Sequence, residues 1–160
     1  MSVLPVVTQP AQPKTTNIIA ISRLYSAILV VFAVTQLFSF SDFQMLVRSF
    51  WLPGGIPLAY LLSAIIVIAE VLALPFLLRM KVSSLFRVLS MVLGWAVAGI
   101  WLGVSLWLVL TVNAVTNIGF FGTVVEFTPG WWSVLVSMAL CTLAAWSSWG
   151  MWPLGKTSKK

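Results

Sequence analysis

Four uninterrupted apolar runs dominate the chain, at roughly residues 18–40, 57–78, 85–112 and 131–151. A helix needs about 20 mainly apolar residues to cross the hydrocarbon core of a bilayer, and each run meets that length. The runs are continuously apolar rather than alternating with period two, which selects helices over barrel strands. Water offers no way to cover them: 61% of the 160 residues are hydrophobic and 8% are charged, against about 25% charged in a soluble domain. The sequence therefore predicts an all-α integral membrane protein, a four-transmembrane-helix bundle. The third run would rise about 42 Å as a helix and is expected to tilt or protrude. No internal repeat is visible.

Charge placement orients the bundle. Lys14 and Arg23 lie at the first end, Arg79, Lys81 and Arg87 around the second turn, and Lys156, Lys159 and Lys160 in the tail. In a four-span chain all of these fall on one side, and Arg48 stands alone on the other with Asp42 and Glu126. The positive-inside rule then puts both termini and the 78–85 turn in the cytoplasm, N-in and C-in, with 41–56 and 113–130 outward. A multi-pass protein of the cell membrane, in a bacterium the inner membrane, is expected. The net charge of +6 reads as a basic rim against anionic lipid and calls for no nucleic acid. Residues 1–16, with Pro5, Pro10 and Pro13, and 153–160 read as flexible tails flanking a 17–152 membrane domain. The first apolar run exceeds the 7–15 residues of a signal-peptide core and is expected to be retained.

Reactive groups are few. Histidine is absent and Cys141, the one cysteine, lies inside the fourth run, where a thiol usually packs as a small apolar group. No phosphate-binding glycine loop, paired carboxylate or nucleophile motif occurs, so no catalytic residue, metal or cofactor is expected. One intramembrane acid remains. Glu70 lies deep in the second run, where an ionisable side chain costs about 2.5–3.5 kcal/mol and calls for a partner. Counted from the outer ends at helical rise, Arg23 lies about 25 Å and Glu70 about 20 Å deep. An Arg23–Glu70 pair is expected, with Tyr25 and Ser26 nearby, either as a pin fixing helix register or as a proton or ligand site.

Other patterns read as packing. Ala96, Gly99 and Gly103 line one face of the third run and include a GxxxG pattern, expected to pack inside the bundle or against a second copy. Trp131 and Trp132 fall at the outer interface, and Trp146, Trp149 and Trp152 near the inner one, where amphipathic rings collect. Trp95, Trp101 and Trp107 repeat every six residues and so fall on three different helix faces. Between the third and fourth runs stands TNIGFFGTVVEFTPGWW, whose only ionisable side chain is Glu126. Its Gly-aromatic-aromatic-Gly turn is either a site or a connection whose glycines permit positive φ.

The stretch RLYSAILVVFAVTQLFSFSDFQMLVRSFWLPGGIPLAYLLSAIIVIAEVLALPFLL resembles the DoxX-like membrane proteins and, among them, the MauE family of methylamine-utilisation membrane proteins. Arg23, Asp42, Phe43, Pro57, Glu70, Leu77 and Leu78 occupy the places that carry the likeness, which extends over roughly 21–146. The resemblance implies an outward Cys-Gly-Cys-Phe-Gly loop after the third span. Here the matching places hold Ile118, Gly119, Phe120, Phe121 and Gly122, so the shape residues stand without the thiols that disulfide exchange requires. Gln36 stands where many DoxX-like proteins carry a lysine.

Three functions remain open on the sequence. The resemblance implies an accessory protein that assists maturation, processing or assembly of a partner like methylamine dehydrogenase, in the membrane or on its outer side, without its own thiol chemistry. A second is a structural or docking subunit of another membrane complex. A third is a subunit of a quinone-linked oxidoreductase or a small transporter; one charge pair and four short spans without a broken-helix repeat argue against an autonomous transporter.

Overall fold

The computed structural model describes residues 12–111 and 115–152. Five helices follow in order: α1 (Thr16–Phe38), α2 (Phe40–Arg48), α3 (Gly55–Leu77), α4 (Ser84–Thr111) and α5 (Trp131–Gly150). All but α2 are long and apolar enough to cross a membrane, and they occupy the four apolar runs. Helix α1 packs on α3, α3 on α4, α4 on α5, and α5 back on α1. This is the closed ring of an up-and-down four-helix bundle. The amide of Lys14 donates to the Gly150 carbonyl at 3.1 Å and its ammonium stands 4.2 Å over the Trp149 ring. The start of α1 and the end of α5 therefore share one face. Most of the expected tails, with Lys156, Lys159 and Lys160, lie outside the described residues.

Only 39–44% of the apolar window of each span is buried within the bundle. The remainder exposes side chains such as Leu24, Val34, Leu61, Ile68, Val92 and Leu135. Hydrocarbon, which makes no polar demand on such a surface, is the solvent that accommodates it. The protein is an integral membrane protein.

Close packing inside the ring comes from a different helix than the glycines suggest. Ser133, Ser137, Leu140, Ala144 and Ser147 are buried along one face of α5, at the i, i+4, i+7 spacing of a helical stripe. Ser105 of α4 meets Ser137 at 2.9 Å, hydroxyl to hydroxyl. Small side chains bring the backbones together where the hydrophobic effect gives no drive between helices. The expected packing of Ala96, Gly99 and Gly103 inside the bundle is not what forms. A Cβ built on Gly99 or Gly103 meets nothing within 4 Å. The buried face of α4 runs through Gly94, Ala98, Trp101, Ser105 and Leu108, and the three small residues lie round the helix from it.

The end of α3 is completed by its neighbours. Pro75 interrupts the last turn and removes a backbone donor. The next amide, Phe76 N–H, turns to Ser90 Oγ of α4 at 3.0 Å, and Ser22 Oγ of α1 donates to the Leu77 carbonyl at 2.6 Å. Irregular backbone at membrane depth is tolerated because these side chains satisfy it.

Helix α2 was not among the elements expected from span length. Its nine residues, FSDFQMLVR, bury Phe43 and Val47, with Asp42 in the first turn and Arg48 in the last. That is one apolar stripe with both charges placed to complement the helix dipole. It lies against α3 at the end of the bundle opposite Lys14 and Gly150.

Candidate functional site

A buried polar cluster lies beneath the loop that joins α4 to α5. Glu70 of α3, Gln36 of α1 and Trp101 of α4 are each fully buried. The Trp101 indole N–H donates to Glu70 Oε1 at 3.2 Å, and Gln36 Nε2 donates to the same oxygen at 3.3 Å. Gln36 Nε2 also donates to the Phe120 carbonyl of the loop at 3.0 Å. Glu70 Oε2 and Gln36 Oε1, both buried, have no hydrogen-bond partner among the described residues. Three spans thus meet at one carboxyl group, and the loop joins them through Gln36.

The face pattern explains which residues arrive there. Helix α1 buries Ile18, Ser22, Tyr25, Leu29, Phe32 and Gln36, spaced by three and four residues, so Gln36 continues the stripe that faces the core. Arg23 is off that stripe and exposed. The expected Arg23–Glu70 pair is accordingly replaced by Gln36 and Trp101. Arg23 instead shares a cleft with Leu77, Leu78 and Arg79, about 10 Å of helical rise from Glu70 along α3. Its neighbour Ser22 donates to the Leu77 carbonyl, so Arg23 lies level with the end of α3 rather than with Glu70. Tyr25 donates to the Gly94 carbonyl at 2.7 Å and Ser26 to the Arg23 carbonyl at 2.8 Å, neither of them to Glu70.

The loop is built to lie over this cluster. Asn117 organises it: its Nδ2 donates to the Gly122 carbonyl at 2.9 Å, and its Oδ1 accepts from the amides of Gly119 at 3.0 Å and Phe127 at 3.4 Å. The Ile118 amide donates to the Phe127 carbonyl at 2.8 Å, closing the loop's neck. Gly119 and Gly122 have φ of 88° and 59°, values that L side chains rarely adopt. A Cβ on Gly122 would also come within 3.1 Å of the Thr35 carbonyl oxygen and Gln36 Cα. Both glycines are therefore set by backbone and by space together. Ser39 and Thr123 hydroxyls, 2.6 Å apart, tie the loop to the end of α1.

Phe120 and Phe121 of the loop point inward. Phe120 stacks on Phe32 with centroids 5.5 Å apart and meets Trp101 edge-on at 4.9 Å. Phe121 stands edge-on to Phe32 at 5.2 Å. Ile118 is 0% and Phe120 2% exposed. The two positions that the family resemblance assigns to thiols are thus packing positions, with their side chains inside the bundle. Glu126 is exposed and outside the cluster. The three tryptophans of α4 have three separate environments: Trp95 donates to Ser148 Oγ at 3.0 Å, Trp101 to Glu70, and Trp107 to the Phe50 carbonyl at 2.9 Å.

Chemically, the cluster holds one carboxyl group, an amide and an indole. It can fix three helices and a loop in register. Among the described residues no group of three or more His, Cys, Asp or Glu side chains is assembled, and Cys141 sits half-buried on α5. Asn117, the loop's organiser, was missed in the sequence, although an Asn two residues before a glycine is the signature of a side chain closing a turn on its own backbone. Comparison with protein-family models, with curated proteins and with solved structures finds no match to this chain.

Proposed function

We propose that the chain is a membrane-embedded accessory protein of MauE or DoxX-like kind that holds a partner at its outer face and performs no thiol chemistry of its own. The observation that carries this reading is the filled loop: Ile118 and Phe120 are packed under a cap rather than presented at its surface. What the cap does present is apolar. Trp51 is 79% and Val124 51% exposed, and Met45, Val125 and Phe127 are exposed as well. Apolar patches outside the spans are the usual mark of an interaction surface. In this reading both termini are cytoplasmic, the cap faces outward from a bacterial inner membrane, and the partner is an exported redox enzyme subunit like that of methylamine dehydrogenase. A docking role in another membrane complex would use the same surface, and the identity of the partner separates the two.

A photo-crosslinking residue at Val124, compared with one at the lipid-facing Leu135, tests the reading in intact cells. A discrete protein adduct at position 124, absent at 135, is expected. Adducts equal at both positions, or no discrete adduct at 124, would contradict it.

A further inference from the structure

The face of the bundle that carries Lys14 and Gly150 holds a cleft of about 330 Å³ between α1 and the end of α3, lined by Ile19, Arg23, Leu77, Leu78 and Arg79. Two arginines line it and no acid does. The chain has three acids in all: Glu70 is held in the core cluster, Asp42 lies on α2 and Glu126 in the outer loop. Arg79 is half-buried, and its Nε, fully shielded, has no hydrogen-bond partner among the described residues.

The backbone at Arg79 is also unusual. Its φ is 57°. The Arg79 amide donates to the Phe76 carbonyl at 3.1 Å and the Met80 amide to the Pro75 carbonyl at 2.9 Å. These nested bonds form the Schellman ending of a helix, in which the left-handed residue is usually glycine. An arginine there adopts a conformation disfavoured for a side chain, which points to a use for the guanidinium group.

We propose that this cleft binds the phosphate group of an anionic phospholipid. Arg23 and Arg79 would donate N–H bonds to the phosphate oxygens, the geometry in which guanidinium groups recognise phosphate. The position favours a lipid over a soluble ion. Arg79 stands just beyond the apolar end of α3, at headgroup level, and Ile19 and the half-exposed Leu78 offer an apolar wall along which acyl chains can lie. Basic pockets between spans are the usual form of such sites.

The test uses the full chain in nanodiscs of phosphatidylcholine with rising phosphatidylglycerol, with retained lipid read by native mass spectrometry. Arg79→Gly removes the guanidinium and puts the favoured residue at the left-handed position, so misfolding cannot account for lost binding. Arg79→Gly and Arg23→Gln should each weaken phosphatidylglycerol retention about fivefold, the weight of one basic residue near an anionic headgroup. Lys81→Gln, which removes the same charge from the same turn but outside the cleft, should leave retention unchanged. Equal losses in all three variants, or no preference for phosphatidylglycerol in the wild type, would overturn the proposal. So would displacement of the lipid by millimolar inorganic phosphate, which would make the cleft a site for a free anion.

Discussion

Gln36 ties α1, α3 and the loop between α4 and α5 together through one amide nitrogen, shared between Glu70 Oε1 and the Phe120 carbonyl. The partners of Glu70 are N–H donors rather than a cation, and this has a measurable consequence. Glu70→Gln keeps an acceptor oxygen for both donors and should cost less than about 1 kcal/mol, whereas a broken buried ion pair costs about 3–5 kcal/mol. Gln36→Leu strands the Phe120 carbonyl and should cost about 1–3 kcal/mol, the penalty for an unsatisfied buried group. Unfolding of the purified protein in a mixed-micelle denaturant series compares the two, and a Glu70→Gln loss larger than that of Gln36→Leu would reject the arrangement. Glu70 was legible in the sequence because an acid in a span is costly wherever it falls. Its partner was not, because helix periodicity gives the face of a residue and not its height relative to a neighbouring helix. The stripe through Ser22, Leu29 and Gln36 carried the facing information, and Arg23 lies off it.

The spans were legible at the scale of elements, since length and hydropathy are properties of one segment. Contacts between segments were less so. The GxxxG pattern of α4 drew notice by its glycines, but the packing stripe belongs to the serines and alanine of α5, which are small without being conspicuous. Ser137→Ile forces a branched side chain against Ser105 and should destabilise the bundle by about 1–3 kcal/mol. Gly99→Ala, placed in open space, should change stability by no more than about 0.5 kcal/mol. Thermal unfolding in detergent compares them, and the opposite ranking would return the packing role to α4. Helix α2 escaped a search by span length because it is nine residues long. Its amphipathic pattern, with Phe40, Phe43 and Val47 on one side, was present to be read.

At the scale of the whole molecule, a ring of four spans is closed at one end by a cap made of α2 and the 115–130 loop, and the cap is joined to the core through Gln36, which bonds both the Phe120 carbonyl and Glu70. The proposed MauE likeness would make positions 118 and 120 places for chemistry. The fold uses them instead to fill the mouth of the bundle, which is why the molecule is read as holding a partner rather than oxidising one. Reactivity of single introduced cysteines toward a membrane-impermeant maleimide, in a Cys141→Ser background, measures this most directly. Val124→Cys should label readily from outside intact cells, and Ser83→Cys, in the turn on the opposite face, only after permeabilisation. Ile118→Cys and Phe120→Cys should resist the reagent on either side until the protein is denatured. Labelling of Ile118→Cys or Phe120→Cys in the native protein as fast as Val124→Cys would contradict the account, because the loop would then be an open site and not a packed cap.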